Sequence, residues 1–478
     1  MVPVRAATAR RGRRALMQRN KQVLEGPVVQ TLVRLTLPML VAMFAMVGFN
    51  IVDTFFVGRL GTEELAAMGF TLAVVMSVNS VSMGLGMGTT AVISKVIGQG
   101  DAHGMQRLAM NAILLGLLVA STICTVGLLT IRPLFGLMGA DGVVLDHIGA
   151  YMSVWYLGLP LIIVPQIGNS SIRATGDTKT PAKIMISVLT VNAVLDPLFI
   201  FGYGPIPGMG LRGAAIATVI AQGIALLLSL RVLSRRGLII IEREPWALLS
   251  ASWRRILHIG VPAAITQLIT PLSTGVITAI VATYGVAAVA GFGVASRLEM
   301  FALMVIMALG SALVPFVGQN WGAGNKARVG RAVKAAVVLA SGWGGFVWLL
   351  SLVAGRPVAA VFNDNPAVVD TVVGYMAIVF PSLFLLGVLT TVANSLNALH
   401  EPVKSMTLSI LRMFVIYVPL AFLGSALVGL AGVWWAAFAA NMTSGVAAIF
   451  WFRHIFRGLE HEPAPSFAEE PEPAPAGV

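Results

Sequence analysis

Residues 35–58 read LTLPMLVAMFAMVGFNIVDTFFVG, and residues 259–282 read IGVPAAITQLITPLSTGVITAIVA. Each is long enough to cross a bilayer as a helix, which takes about 20 apolar residues, and neither contains a lysine or arginine. The two stretches stand 224 residues apart and carry a proline at the same place, Pro38 and Pro262. They differ at one chemically important position: Asp53 in the first corresponds to Ile277 in the second. The same offset relates Gly61 to Gly285, Gly69 to Gly293, Tyr151-Met152 to Tyr375-Met376, and the turn Ser171–Asp177 to Ser395–Glu401. Gly98-Gln99 and Gly318-Gln319 match at 220, and Gly210–Gly213 and Gly429–Gly432 at 219. The chain is therefore a tandem repeat of one membrane-embedded unit.

Composition agrees. The 478 residues are 57% hydrophobic and 11% charged, with mean hydropathy +0.87, whereas soluble domains carry about 25% charged residues. That excludes a soluble globular enzyme. Apolar runs fall near 34–58, 66–94, 107–131, 148–172, 182–203, 210–233, 255–283, 286–315, 329–354, 370–397, 404–425 and 430–453. The expectation is an all-α polytopic protein of twelve transmembrane helices in two homologous six-helix lobes. Because six is even, both lobes enter from the same side and the repeat is parallel, an arrangement used for alternating access.

Basic residues test this count, since they concentrate on the cytoplasmic side. With a cytoplasmic N-terminus, 26 of the 32 lysines and arginines fall inside, only Arg59, Arg132, Arg212 and Arg356 fall outside, and Arg297 and Arg412 lie within spans. The net charge of +12 is thus explained by topology and calls for no nucleic-acid partner. The expected organisation is a basic cytoplasmic N-terminus over 1–26, a first lobe over 27–233, a cytoplasmic linker over 234–254, a second lobe over 255–455, and an acidic, Pro-rich, disordered tail over 456–478. Both termini are then cytoplasmic. The basic N-terminus has the composition of an organellar transit peptide as well as of a retained cytoplasmic segment. The single cysteine, Cys124, excludes an intramolecular disulfide and a cysteine-based metal site.

Charged side chains inside a bilayer are costly and mark function. Asp53 and Asp196 lie well inside first-half spans, and Asn192, four residues before Asp196, shares its helical face. Asn50, Thr54 and Thr218 supply further oxygens. Two carboxylates with neutral oxygens suit a proton or a small hard cation such as Na+. At the repeat offset Asp196 corresponds to Leu420, so the fold forms in the second half without either carboxylate. A buried carboxylate held only by Asn192 or a backbone donor is the structural alternative. The second half offers Glu299, Arg297 and Arg412, as an ion or substrate site or as a structural ion pair. Met39, Met43 and Met46 share one face, as do Met300, Met304 and Met307. Soft surfaces of this kind suit varied apolar ligands, but core packing is the preferred account of them. Tyr151, Trp155, Phe292 and Phe301 suit stacking on an aromatic cation, and interface anchoring or packing explains them equally well. No G-x-x-x-x-G-K-[ST] loop occurs, so no P-loop ATP hydrolysis drives the protein. The paired aspartates also raise an intramembrane aspartyl protease, which the duplicated architecture and Pro197 after Asp196 disfavour.

Val52–Gly58, Arg173–Pro181, Asn192–Leu198, Gly208–Thr218 and Val317–Asn320 resemble the signatures of the multidrug and toxic compound extrusion (MATE) family, over about residues 27–455. The resemblance implies a V-shaped, twelve-helix exporter of organic cations or amphipathic drugs, driven by H+ or Na+ antiport, in the plasma membrane of a prokaryote, with no cofactor and as a monomer. It further implies that Asp53, Asn192, Asp196 and Thr218 form the ion site, with Tyr151 and Asn169 beside it. No Asp or Glu lies between Val403 and Trp451; this resembles the DNA-damage-inducible branch and favours H+. A lipid-linked oligosaccharide flippase of the same superfamily is the alternative.

Overall fold

The computed structural model describes residues 18, 20–205, 207–240 and 245–461, with the side chains of 459–461 excepted. Most of the basic N-terminus, part of the linker and the tail from 462 lie outside the described residues. Every regular element among the described residues is helical. The first half comprises α1 (Val28–Val57), α2 (Thr62–Gly98), α3 (Ala102–Leu137), α4 (Gly142–Leu157), α5 (Leu159–Ala174), α6 (Lys179–Phe201) and α7 (Gly210–Arg235). The second comprises α8 (Trp246–Ala282), α9 (Val286–Gly322), α10 (Lys326–Phe362), α11 (Pro366–Val379), α12 (Leu383–Ala398), α13 (Pro402–Ile410), α14 (Val418–Val428) and α15 (Leu430–His461).

Twelve spans result when α4 and α5, bent by 47° at Gly158, are taken as one. The expected fourth span over 148–172 is therefore broken, at the glycine that precedes Leu159-Pro160. The second half breaks at the repeat-equivalent place, where a 3-10 turn over Phe380–Ser382 separates α11 from α12. Pro160 and Pro381 remove backbone donors there. A π-helical turn, Leu411–Tyr417, joins α13 to α14 just ahead of Pro419, whose missing N–H leaves the Val415 carbonyl of that turn without its helical donor. Outward faces are apolar, with Leu129, Val353 and Leu427 largely exposed, as lipid contact requires.

Several helices overrun the hydrophobic runs. The segment read as a linker over 234–254 is helical from Trp246 onward, because Trp253 donates from Nε1 to the Asn111 carbonyl (2.9 Å) and Asn111 donates to Ser252 Oγ (3.1 Å). Likewise α15 continues past 455 to His461.

Glycine decides how closely the halves approach. A Cβ at Gly84 or Gly88 of α2 would collide with the Gly260 or Ile256 carbonyl oxygen of α8, and one at Gly98 with the Gln319 carbonyl of α9. Gln319 donates to the Ala174 carbonyl (2.7 Å). Asn320 donates to the Val23 carbonyl (3.2 Å), and Arg328 reaches the carbonyls of Val23 and Gly26. All these contacts lie in the half of the bundle nearest the basic residues, so the two halves are fastened together at that end. The repeated turns are also geometrically equivalent: Gly176 has φ +79° and its counterpart His400 has φ +66°, the only non-glycine residue with positive φ among the described residues.

Candidate functional site

The helix α1 turns Asn50, Asp53 and Thr54 toward the interior of the first half, since residues three and four apart share a face. There they border a cavity of about 230 Å³ together with Tyr151 of α4, Asn169 of α5 and Thr218 of α7. Asn192 and Asp196 are fully buried in α6, and Asn192 Nδ2 donates to Asp196 Oδ1 at 2.9 Å. Asp53 and Asp196 interact electrostatically, and both act on Tyr151. The structure thus gathers the first-half residues that the sequence singles out. Asn50 spends its amide on its own helix, donating to the Met46 carbonyl at 2.9 Å.

The chemistry of the site lies in what is unsatisfied. Asp53 Oδ1, Asn169 Oδ1, Asn192 Oδ1 and Asp196 Oδ2 are buried oxygens without a hydrogen-bond donor among the described residues. Buried acceptors are nearly always paired, and four orphans from three helices, α1, α5 and α6, make a site that would gain from a proton or a cation. Pro197 adds to this by leaving the Ala193 carbonyl without its helical donor. No group of three His, Cys, Asp or Glu side chains that could hold a metal ion occurs among the described residues. Sequence reading missed Asn79, Gln166 and Gln222, which also line the cavity. Their signal was available, as polar residues within spans.

The second half holds a different polar cluster. Tyr375, the repeat counterpart of Tyr151, donates its hydroxyl to Glu299 Oε2 at 2.5 Å. Arg412 in the π turn donates from Nη1 to Asn441 Oδ1 (3.1 Å), and Asn441 Nδ2 donates to Ser382 Oγ (2.8 Å). No ion pair within 4 Å joins Glu299 to an arginine among the described residues. Arg297 is exposed and makes no hydrogen bond or ion pair to this cluster. Arg412 lines a second cavity of about 300 Å³, which meets the first at Met83. The methionine stripes divide: Met39 and Met304 are buried in the core, while Met43 and Met307 line this second cavity and Met46 the first. Phe292 stacks on Trp434 (centroids 5.5 Å apart) and packs on Tyr375, so its role is packing.

Two repeated helical halves, fastened at one end around a polar intramembrane cavity, define a secondary transporter of the alternating-access class. The MatE family model matches residues 38–198 and again 262–423, two copies that begin 224 residues apart, the offset of the sequence repeat. The chain belongs to the MATE family. A relative named FAD transporter, from Shewanella oneidensis, is 35% identical, with 92% of this chain and 97% of that protein covered. The multidrug export protein MepA of Staphylococcus haemolyticus is 24% identical, covering 89% of this chain and 93% of its own. Among solved structures, the Vibrio cholerae MATE transporter VcmN in its bent form superposes with a TM-score of 0.86 at 31% identity, covering 92% and 98% of the two chains. A MOP superfamily transporter from Pyrococcus furiosus, described as having a binding pocket of reverse polarity, gives 0.83 at 26% identity, covering 92% and 98%. The protein is accordingly a multi-pass membrane transporter and not an enzyme, which disposes of the aspartyl protease.

Proposed function

We propose that the protein is a secondary active exporter that moves organic, cationic or amphipathic compounds in exchange for a cation, H+ in preference to Na+, taken up at Asp53 and Asp196. The observation that carries this reading is the set of four orphaned oxygens, on Asp53 and Asn169, which line the first cavity, and on Asn192 and Asp196, buried in α6. With the basic end in the cytoplasm and both termini there, in the plasma membrane of a prokaryote, fastening at that end corresponds to an outward-facing state. The halves 27–233 and 255–455 rock as lobes about the α2–α8 contact, in a monomer. Binding of the cation neutralises an uncompensated buried charge, α1 repacks about Pro38, and substrate leaves. Opening toward the cytoplasm then releases the ion. Asn192, Thr218, Tyr151 and Asn169 position the carboxylates and complete the oxygen set. The absence of any acidic residue from Val403 to Trp451 supports the DNA-damage-inducible branch and a single coupling site in the first lobe.

A second reading of the substrate rests on the 35% identical relative named FAD transporter: a flavin nucleotide, which joins an aromatic ring system to anionic phosphate, is a candidate cargo. The test of the export reading uses proteoliposomes and a fluorescent organic cation, under a pH gradient alone and then a Na+ gradient alone. Movement driven by either gradient and lost in Asp53→Asn supports it. Wild-type protein that is folded and moves the dye under neither gradient refutes it.

A further inference from the structure

Arg412 is placed as a recognition group. Its Nη1 is held by Asn441, whose own amide is fixed on Ser382, so the guanidinium is oriented by a buried two-step relay. No other hydrogen bond and no ion pair engages it among the described residues, and neither Nε nor Nη2 is a sealed, partnerless atom. The remaining N–H groups therefore face the cavity that Arg412 lines. Glu299 acts on it electrostatically, but one Glu299 oxygen already accepts from Tyr375. An arginine with a free planar fork matches carboxylate or phosphate in two parallel hydrogen bonds. Around it the cavity presents Asn394, whose Nδ2 spends one hydrogen on the Thr390 carbonyl (2.9 Å) and keeps the other, Asn397, and the thioethers of Met43, Met83 and Met307. Amides add polar contacts for an anionic head, and the adaptable thioethers suit a flat aromatic body.

We propose that Arg412, with Asn394 and Asn397, forms an anion subsite in the second-lobe half of the central cavity, which takes the phosphate or carboxylate of an amphipathic aromatic substrate. This rests on the export reading in that the cavity must be the substrate path. Coupling stays in the first lobe, at Asp53 and Asp196, and substrate charge is read in the second, where the repeat replaces those carboxylates by Ile277 and Leu420.

The test is equilibrium binding to the purified full chain of two probes that differ by one phosphate, riboflavin and riboflavin 5′-phosphate. Wild type should bind the phosphate ester about tenfold more tightly, the worth of a charge-assisted hydrogen bond. Arg412→Gln should bring the ratio to about one, and Arg412→Lys, which keeps charge and loses the fork, should retain part of the preference. A wild-type ratio of one, or a ratio unchanged in Arg412→Gln, overturns the proposal. If Arg412→Gln does not fold, the wild-type ratio and Arg412→Lys decide. Phosphate preference without gradient-driven transport would refute the export reading and leave the subsite standing. Gradient-driven efflux of a cationic dye without phosphate preference would do the reverse.

Discussion

Gly88→Val should unfasten the two halves. A Cβ at Gly88 meets the Ile256 carbonyl oxygen and comes within 3.0 Å of the Gly260 nitrogen and 3.3 Å of its Cα. All three are backbone atoms of α8, so no side chain can swing aside. Overpacking of a tight contact costs about 1–3 kcal/mol, which at a conformational equilibrium is a shift of roughly 5- to 150-fold away from the state closed at the basic end. With Cys124 replaced by alanine, spin labels at cysteines introduced for Leu137 and Val361, which are exposed at the ends of α3 and α10, report the separation of the far ends of the halves. Wild type should show a long distance, and Gly88→Val a large added population at shorter distance. An unchanged distance distribution in folded Gly88→Val protein would refute the reasoning that this glycine contact holds the state described.

Asn192→Ala should lower thermal stability by about 1–3 kcal/mol, because Asp196 Oδ1 loses its donor while buried; a melting temperature equal to wild type in detergent would contradict it. His400 lies in the loop between spans, with Nε2 sealed from solvent and unpaired; burial first, then Lys95, His258 and Arg255, push its pKa down to about 3, against a smaller upward effect from the Ala398 carbonyl. Because the folded state then binds fewer protons than the unfolded one, stability is fully present above about pH 6.5 and is lost as pH falls below it, by at most about 2 kcal/mol at pH 5. His400→Asn keeps a residue that tolerates positive φ, so melting curves from pH 7 to 5 should be flatter than those of wild type, and an equal slope would contradict the assignment. Arg328→Ala removes the side chain that reaches the Val23 and Gly26 carbonyls; it should shift the label distances in the same direction as Gly88→Val but less, and no shift would mean that this strap does not contribute to closure.

The span count was legible because lipid leaves the backbone no alternative to helix, so hydropathy alone carries it. Asp53 and Asp196 were legible for a further reason: the repeat puts Ile277 and Leu420 at the matching places and so separates chemistry from scaffold. The break at Gly158 was less visible, since a proline after a glycine reads as a kink as readily as a bend of 47°. Hidden altogether was the pairing of Glu299 with Tyr375, which joins α9 to α11. The π turn was equally hidden, because the span is apolar on nearly every side and a shift of helical register leaves no mark in its pattern. The sequence left Arg412 open as a substrate-site residue or as an ion-pair partner of Glu299, and the structure gives its hydrogen bond to Asn441.

The central claim, that the first-lobe carboxylates exchange a cation for substrate, is tested most directly by running the exchange backwards. Proteoliposomes would be loaded with a fluorescent organic cation, and the internal pH followed after its outward gradient is imposed, with no Na+ present. Wild type is expected to move protons against the dye at a rate that follows the dye flux, while Asp53→Asn and Asp196→Asn, folded and still binding the dye, move none. Proton movement in both variants equal to that of wild type would contradict the account.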